Sequence, residues 1–474
     1  MKRLEKIGKI KTYQSTEIEK SKFGIGLEKL DRNLFDPSKT YDYIQSLGMK
    51  FVRLQSGWAR TEKEEGKYDF SWLDEIVDNL LIRKIEPWLC LCYGNGLYSP
   101  EANKQFGGVG VPPIFTERER TAWDKYCVAV AKHFKGRIKM YEVWNEPDGA
   151  WCWKHGVNGT EYGEFVIRTS NAVKSVDENA KILGGSLAER YHLKWLKDAL
   201  DTGMADAIDM FTYHNYSPDL THTPATVKTL RAILHKYGKH IQLVQGEAGS
   251  PSEINGSGAM CSGLWSEERQ AKLLLRRHLY DLESDVEFIS HFTTVDMVEA
   301  LNGVVSDKKS YLDYGYFGVL SAQFDEDGFS VGEYAPKKSF YALQTLSSLL
   351  YDAESADLPI MGFPSEYNNR TFGAAAKFNS LVTNSFVKSN GSSAFCYYKP
   401  TDILSESFDG VVCFMADMPM DKVRLVDLMD GTVYRLSPEM VVEEGNGVYR
   451  LMFLPIRDYP LMLTFGDFCE VEDE

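Results

Sequence analysis

Two glutamates at the ends of β-prone segments are the residues of this chain best suited to chemistry. The first is Glu146, in the run Tyr141–Asp148, where a β-prone stretch stops at Asn145-Glu146-Pro147. Proline disfavours the helical region for the residue before it, so we expect Glu146 to be extended and to project from a strand end. The aromatic run Trp151–Trp153 follows closely. An acid beside aromatic surface suits a site that protonates a leaving oxygen and holds a sugar ring.

The second glutamate, Glu247, ends another β-prone run, Gln242–Gly249. Gly246 and Gly249 flank it and allow other groups to approach the backbone closely. Side chains alternate along a strand, so Gln245 and Glu247 are predicted to share a face. Two carboxylates that face each other are the minimum set of groups for hydrolysis of a glycosidic bond. The pair therefore predicts such a site if the fold brings the two strand ends together.

Alternating strands and helices over residues 21–354 predict the fold that would bring them together. Such alternation favours a closed parallel (β/α)8 (TIM) barrel, an α/β fold whose active sites lie at the C-terminal strand ends. Glu146 then follows the fourth strand and Glu247 the seventh. A doubly wound open sheet is the alternative, and the lack of a Gly-rich fingerprint after the first strand disfavours it. The predicted strands are 23–27, 51–55, 87–93, 139–144, 181–185, 210–214, 242–245 and 287–294.

The helices between these strands begin with recognisable caps. Thr116 and Ser266 each precede acidic residues in the first turn, a pattern typical of helix N-termini. The predicted helices are 72–84, 116–134, 160–176, 226–237, 266–281 and 339–350.

After about residue 355 the pattern changes to short β-prone runs separated by turn signals. Dipeptides such as Asn390-Gly391, Asp409-Gly410 and Asp430-Gly431 favour tight hairpins. Residues 355–474 are therefore predicted to form an antiparallel β-sandwich domain, and residues 1–20 are a candidate additional edge for it. The predicted strands are 394–398, 411–416, 422–427, 432–436, 447–453 and 462–465.

Composition places this 474-residue chain among ordinary globular proteins and narrows its partners. Hydrophobic residues make up 43% and charged residues 26%, which excludes a disordered or fibrous chain. The formal net charge of −15 argues against nucleic acid or an anionic membrane as a main partner. No run approaches the roughly 20 apolar residues of a membrane span, and residues 1–20 lack the apolar segment of a signal peptide. We expect a cytoplasmic protein, or a secreted or periplasmic one if a leader once preceded this sequence.

The eight cysteines lack the two-pair spacing of a metal site. Cys90 and Cys92 alternate on a predicted strand and are expected to pack as small apolar groups. Four disulfides are the alternative that the even count allows, although a chain of this length does not need them. We predict neither a metal nor an organic cofactor, and the sequence indicates no oligomeric state.

Together the two glutamate motifs resemble a known superfamily. Asn145-Glu146-Pro147 after the fourth strand and Glu247 after the seventh are similar to the clan A retaining glycoside hydrolases, which share a (β/α)8 barrel. Within that clan, the run Tyr141–Asp148 and the trailing β-sandwich resemble glycoside hydrolase family 39, whose members include β-xylosidases and α-L-iduronidases. The resemblance implies that Glu146 is the acid/base, that Glu247 is the nucleophile and that Asn145 contacts the sugar 2-hydroxyl.

Arg53, His214 and Tyr216 are candidate partners of the nucleophile. Clan members carry an arginine on the second strand and a His-x-Tyr sequence after the sixth, and these three positions match. A nucleophilic carboxylate must stay ionised, so Glu247 needs hydrogen-bond donors. Each has a purely structural alternative. Arg53 would then do no more than pair with the buried Glu142 of the fourth strand, and His214 would be an ordinary buried barrel histidine.

Further substrate contacts are predicted at strand ends, where polar groups could bind hydroxyls and rings could stack on a sugar. Structural packing would explain any one of the aromatic residues equally well. The clan often has a tryptophan near the end of the eighth strand, where this chain offers only Phe292. The candidate substrate-binding residues are Glu28, Trp58, Tyr93, Asn95, Trp151, Trp153 and Asp296.

The resemblance, together with the carboxylate pair, implies a retaining glycoside hydrolase, β-xylosidase-like, that acts on oligosaccharides or small glycosides by double displacement. One alternative is a catalytically silent carbohydrate-binding protein on the same scaffold. Another is a transglycosylase that keeps the covalent step but prefers a sugar acceptor to water. The sequence does not identify the sugar or the linkage.

Overall fold

A closed barrel of eight parallel strands forms the larger part of the molecule. The structure, a computed structural model, describes residues 4–188, 191–237, 241–363 and 381–472. The first barrel strand pairs with both the second and the eighth, which closes the sheet. The predicted barrel is confirmed, and the open-sheet alternative is wrong. One strand precedes the barrel, β1 (Leu4–Ile10). The barrel strands are β2 (Phe23–Leu27), β3 (Phe51–Gln55), β4 (Glu86–Leu91), β5 (Met140–Val143), β6 (Lys181–Leu187), β7 (Met210–His214), β8 (Gln242–Ala248) and β9 (Ile289–His291).

Helices cover the outside of the barrel, and their caps explain where several begin. The Thr116 side chain accepts from the Glu119 backbone N–H, and the Glu119 side chain accepts from the Thr116 backbone N–H. The two hydrogen bonds form a complete capping box. Ser266 accepts from the Arg269 backbone N–H in the same position. The helices are α1 (Tyr41–Ser46), α2 (Trp58–Thr61), α3 (Ser71–Ile82), α4 (Pro100–Lys104), α5 (Glu117–Phe134), α6 (Gly159–Lys174), α7 (Leu193–Ala199), α8 (Ala205–Ala207), α9 (Thr223–His235), α10 (Glu267–Glu283) and α11 (Lys338–Leu350).

Two short hairpins follow the last barrel strand and lie near the C-terminal end of the barrel. Their strands are brief and carry little periodicity, so the sequence did not predict them. The first hairpin places Met297 beside Gly315, and the second places Leu320 beside Pro336. The four strands are β10 (Met297–Val298), β11 (Tyr314–Gly315), β12 (Leu320–Phe324) and β13 (Ser330–Pro336).

The C-terminal part is a pair of antiparallel sheets, as predicted. The larger sheet has the order β14-β16-β17-β23-β19-β20-β1-β24, and the smaller has the order β15-β18-β22-β21. The N-terminal strand β1 thus lies inside the larger sheet, between β20 and β24. The division at residue 354 remains a prediction. The strands are β14 (Ala353–Ser355), β15 (Ile360–Phe363), β16 (Val382–Lys388), β17 (Ser393–Tyr398), β18 (Asp409–Asp417), β19 (Arg424–Asp427), β20 (Thr432–Leu436), β21 (Val441–Gly445), β22 (Val448–Arg457), β23 (Leu461–Phe465) and β24 (Val471–Glu472).

Strand β17 shows how the larger sheet joins two cores. Phe395 and Tyr397 pack between the two sheets, whereas Ala394 and Cys396 pack in the core shared with the barrel. This is the alternation that a strand buried on both faces requires. The sandwich is therefore packed directly against the barrel.

Two simpler expectations can be compared with the structure. All eight cysteines are free thiols, so the disulfide alternative is wrong. Among the described residues, no helix is both long enough and apolar enough to cross a membrane.

Candidate active site

The segment after β5 turns sharply, and this turn brings both Asn145 and Glu146 to the site. Trp144 and Glu146 have φ of 69° and 45°, in the left-handed region that non-glycine residues rarely adopt. The expectation that Glu146 is extended is therefore wrong. Local hydrogen bonds outweigh the bias from Pro147: the Glu146 N–H donates to Ser186 Oγ at 3.2 Å, and its carbonyl accepts from the Gly149 N–H at 3.0 Å. The turn breaks the strand alternation, so neighbouring residues can serve one cavity.

Glu247 lies at the end of β8, where the strand carries an extra residue. Tyr213 pairs with Gln245 and His214 with Glu247, which leaves Gly246 unpaired between them. The bulge interrupts the period-two pattern on which the sequence prediction relied. A Cβ at Gly246 would lie 3.1 Å from the Thr212 Cβ, so a larger residue there would have to displace its neighbour slightly.

The Glu247 carboxylate receives strong donors on both oxygens. Tyr216 Oη donates to Oε1 at 2.5 Å, and Arg53 Nη1 donates to Oε2 at 2.5 Å. Burial raises the pKa of Glu247, but His214, Arg53 and the Tyr216 hydrogen bond together hold it below its usual value. This carboxylate is therefore kept ionised, the state that a nucleophile needs.

Arg53 ties three carboxylates and an amide together beneath the cavity. Its guanidinium contacts Glu142 at 2.6 Å and Glu247 at 2.5 Å, and it lies 3.7 Å from Glu28. It also donates to Asn145 Oδ1 at 2.8 Å. Both readings of Arg53 from the sequence thus describe part of its environment, since it pairs with the buried Glu142 and also reaches Glu247. The planar fork fixes all of these groups relative to one another.

Glu146 has a different environment, made of ring N–H groups. Trp151 Nε1 donates to Oε2, and His214 Nδ1 lies 2.9 Å from Oε1. The other ring nitrogen of His214 lies 3.1 Å from Ser186 Oγ. Burial lowers the pKa of His214, but the charges of Glu247 and Glu146 outweigh burial and raise it. His214 is therefore placed between the two glutamates and is 3.8 Å from the nearer Glu247 oxygen.

The two carboxylates are close enough to act on one bond. One oxygen of Glu146, one of Glu247 and a nitrogen of His214 all lie within 4.8 Å of one another. Three such groups could ligate a cation, but the 2.9 Å contact between Nδ1 and Oε1 is a hydrogen-bond distance. Arg53 and Tyr216 already occupy the Glu247 oxygens. The hydrogen bond of His214 with Glu146 and those of Arg53 and Tyr216 with Glu247 account for these contacts.

A cavity of about 570 Å³ opens above these groups at the C-terminal end of the barrel. Phe292, Phe317 and Tyr216 form an aromatic wall, with ring centroids 5.5 to 6.3 Å apart. The predicted residues that line the cavity are Asn145, Glu146, Trp151, His214, Tyr216 and Glu247. Phe292 lines it as well, at the place where the clan often carries a tryptophan.

Three predicted contacts lie outside the cavity lining. Trp58 is fully buried, donates to Glu62 at 2.6 Å and stacks on Tyr98 and Tyr126. Tyr93 is buried with its hydroxyl 3.7 Å from a cysteine sulfur, and Asn95 donates to the Glu62 carbonyl at 2.9 Å. The packing alternative accounts for the contacts of all three.

Three further candidates are also enclosed by protein. Trp153 packs in an aromatic cluster with Trp144. Asp296 is paired with Lys337 at 2.6 Å, and burial raises its pKa to about 6. Glu28 lies below the cavity and accepts from Thr293 at 2.9 Å. None of these three lines the cavity in the part of the chain that the structure describes.

The sequence did not single out Lys29, Glu299, Phe317 or Ser186. Lys29 and Glu299 line the cavity, and their charged groups lie 3.2 Å apart. Lys29 directly follows Glu28 at the end of the first barrel strand, so the rule that barrel sites lie at these strand ends could have found it. Glu299 comes after the eighth strand and an unpredicted hairpin strand, and no local pattern marks it.

Comparison with known proteins agrees with the geometry. A family model described as glycosyl hydrolases family 39 matches residues 31–247, a segment just under half of the chain that contains both glutamates. The chain resembles the family 39 glycoside hydrolases. A β-xylosidase from Geobacillus stearothermophilus is 28% identical over 165 residues, which cover 33% of this chain and 32% of the relative. A β-galactosidase from Clostridium cellulovorans is 38% identical over 141 residues, which cover 26% of this chain and 21% of the relative.

A likeness of fold extends over nearly the whole chain. A solved family 39 glycoside hydrolase from Bacteroides cellulosilyticus superposes with a TM-score of 0.65 at 17% identity, covering 96% of this chain and 83% of that one. The predicted resemblance to family 39 is confirmed. The matched segments span about a third of the β-xylosidase and about a fifth of the β-galactosidase.

Proposed function

We propose that this protein is a retaining glycoside hydrolase, β-xylosidase-like, with Glu146 as acid/base and Glu247 as nucleophile. The observation that carries the proposal is the pair of carboxylates at the ends of β5 and β8, with oxygens within 4.8 Å at one cavity. Retaining enzymes keep their carboxyl groups about 5–5.5 Å apart, whereas inverting enzymes need about 6.5–9.5 Å to admit a water. The short separation favours direct attack by the enzyme.

In the first step Glu247 attacks the anomeric carbon while Glu146 donates its proton to the leaving oxygen. Arg53 and Tyr216 hold Glu247 ionised and fix the direction of its oxygens. Trp151 and His214 orient Glu146. The bond to the aglycone breaks, and an ester forms between the sugar and Glu247.

In the second step Glu146, now ionised, removes a proton from water, and the water cleaves the ester. Its ring N–H partners stabilise the charge that it carries at this stage. Asn145 is proposed to bind the sugar 2-hydroxyl. Arg53 accounts for its orientation, because the guanidinium binds Oδ1. The amide nitrogen donates one N–H to Cys152 Sγ at 3.5 Å, and its second N–H is the proposed donor to the sugar.

The proposed substrate is a short β-glycoside. The names of the two relatives point to a xyloside and a galactoside, so the choice between them is decided by a panel of aryl glycosides. Xyloside is the expected best substrate because the β-xylosidase matches more of this chain than the β-galactosidase does, 33% against 26%.

The decisive experiment is chemical rescue of Glu247→Ala. Turnover of an activated aryl glycoside should fall at least about 10⁴-fold, and azide should restore it with formation of a glycosyl azide of inverted configuration. Mass spectrometry of the wild type with a 2-fluoro glycoside should find the sugar attached to Glu247. Rescue failure together with the sugar on another residue would reject the assignment.

Glu146→Ala tests the acid role separately. It should slow glycosides with poor leaving groups far more than activated ones, because only the former need a proton. Equal loss on both would contradict the role. Binding of sugars without turnover across the panel would favour the silent binding protein, and oligosaccharide products with added acceptor would favour the transglycosylase.

A further inference from the structure

We propose that Lys29 and Glu299 form a charge-balanced clamp for sugar hydroxyls, which makes the pocket select uncharged glycones over uronic acids. The inference deepens the proposed glycosidase function and rests on it. It concerns the sugar that the site accepts, which the catalytic carboxylates do not determine.

The pair is built into the barrel wall beside the nucleophile. Lys29 follows β2 and Glu299 follows β10, and Nζ lies 3.2 Å from Oε2. The two side chains are 4% and 8% exposed, yet both line the cavity together with Glu247. The ammonium lies 5.2 Å from the centre of the Phe292 ring, at the edge of the aromatic wall. A sugar bound there would meet a ring face and a pair of opposite charges together.

The pair has unused hydrogen-bonding capacity. Among the described residues, Glu299 Oε1 has no hydrogen-bond partner, and Lys29 Nζ makes no hydrogen bond of good geometry. Both atoms are enclosed by protein, and a buried polar atom without a partner costs about 1–3 kcal/mol of free energy. The pair would gain this energy if the two side chains turned toward the cavity when a polar ligand binds. An ammonium only donates and a carboxylate only accepts, whereas a hydroxyl does both. Two adjacent sugar hydroxyls can therefore satisfy both residues.

The charges explain why an acid would be rejected. His214 and Lys29 are the cationic side chains that line the cavity in the described part of the chain. Each already faces a carboxylate, His214 with Glu146 at 2.9 Å and Lys29 with Glu299 at 3.2 Å. The carboxylate of a uronic acid would find no uncompensated cation and would enter a cavity lined by three carboxylates, those of Glu146, Glu247 and Glu299. Like charges at short range in a buried site are strongly unfavourable.

Glu299→Gln tests the clamp with substrates that differ at one carbon. Aryl β-xyloside, β-glucoside and β-glucuronide share ring stereochemistry and carry hydrogen, hydroxymethyl or carboxylate at C5. The wild type should prefer the neutral members. In the variant, kcat/KM for the neutral glycosides should fall about tenfold or more, and the ratio of glucuronide to glucoside activity should rise at least about tenfold, because Lys29 is no longer compensated. If the enzyme prefers galactosides, aryl β-galactoside and β-galacturonide take the place of the glucoside and the glucuronide in this comparison.

Two further variants separate the clamp from general damage. Asp458→Asn breaks another buried pair, Lys272–Asp458 at 3.0 Å, which lies away from the cavity, and it should leave the ratio unchanged. Lys29→Gln should lose activity on neutral glycosides without gaining activity on glucuronide. An unchanged ratio in Glu299→Gln, or a wild type that prefers glucuronide, overturns the clamp while catalysis by Glu247 stands. If no glycoside is turned over, the proposed function fails, and calorimetric binding of xylose against glucuronate then decides the clamp on its own.

Discussion

The two ends of the barrel interior are built from the same strands but have opposite character. At the N-terminal end the inward side chains form an apolar cluster, and on several of the same strands the side chain two residues further along is charged or polar. The changes run from Phe51 to Arg53, from Met140 to Glu142 and from Met210 to Thr212. Strand alternation thus decides which side chains face inward, and position along the barrel axis decides what chemistry they do.

The difference shows how the barrel divides stability from function. The apolar cluster is closed by stacked rings, with Phe51 and Phe288 centroids 4.4 Å apart. The charged end buries Arg53 among Glu28, Glu142 and Glu247. Burying charges requires desolvation that their attraction only partly repays. The charged end is therefore expected to contribute activity with little net stability, and the apolar end to contribute stability. Removing a single charge is still destabilising, because it leaves its partners buried and unpaired.

Arg53→Met should give the largest effect, because it removes the cation shared by the charged end. We expect kcat/KM to fall about 10³-fold and the free energy of unfolding to fall by about 3–5 kcal/mol, measured by enzyme kinetics and urea unfolding. Arg53→Lys keeps the charge without the planar fork, so it should recover stability better than activity. Full activity in Arg53→Met would contradict the division.

Phe288→Ala should break the apolar end alone. Removing a fully buried aromatic ring is expected to lower the free energy of unfolding by about 3–5 kcal/mol. The kcat of the folded enzyme should stay within about twofold of the wild type, since Phe288 contacts Phe51 and Trp88 rather than the cavity. Phe288→Leu should lower the free energy of unfolding much less than Phe288→Ala does, because it keeps more of the buried volume. A loss of kcat in the folded protein would show that the two ends are coupled.

The charged end was partly predictable from the sequence for a physical reason. A strand end followed by a carboxylate is a local pattern, so Glu146 and Glu247 could be found in isolation, and the barrel follows from repeated alternation. The strands 23–27, 51–55 and 210–214 match the structure at both bounds.

What could not be predicted depends on closure of the barrel or on loop geometry. Lys29 and Glu299 meet because β2 pairs with β9, although the two strands lie far apart in the sequence. No local sequence pattern encodes such a pairing. Trp58 and Tyr93 follow strand ends, as a substrate platform would, but their loops fold back into the protein. The left-handed backbone of Glu146 overrides a proline bias that is only statistical.

Tyr216→Phe tests the contribution of a single hydrogen bond within the charged end. It removes one donor to Glu247 Oε1 and leaves Arg53 on the other oxygen. A hydrogen bond to a charged group is worth about 1.5–3 kcal/mol, so kcat/KM should fall about 10- to 100-fold. The donor stabilises ionised Glu247, so its loss should raise the pKa of that carboxyl and move the acid limb of the kcat/KM profile to higher pH. An unmoved acid limb would show that Tyr216 does not support the charge.

Glu28→Gln should give the smallest effect and one that depends on pH. Burial, together with the charge of Glu247, raises the pKa of Glu28 to about 7, against 4.5 for an ordinary glutamate. Below about pH 4.5 the group is protonated in the folded and unfolded states alike. As the pH rises toward 7 the unfolded chain ionises first, so the stability that protonated Glu28 contributes is lost through that window and stays lost above it.

The variant has no such group, so its stability relative to the wild type should increase with pH. Between about pH 5 and pH 8 the difference in unfolding free energy should shift by about 2 kcal/mol in favour of Glu28→Gln. Urea unfolding at both pH values measures this shift, and titrating groups that do not interact with Glu28 cancel in the comparison. A constant difference would mean that Arg53, 3.7 Å away, keeps Glu28 ionised at both pH values. The charged end would then carry a further fixed anion beneath the nucleophile, and the contrast with the apolar end would be greater.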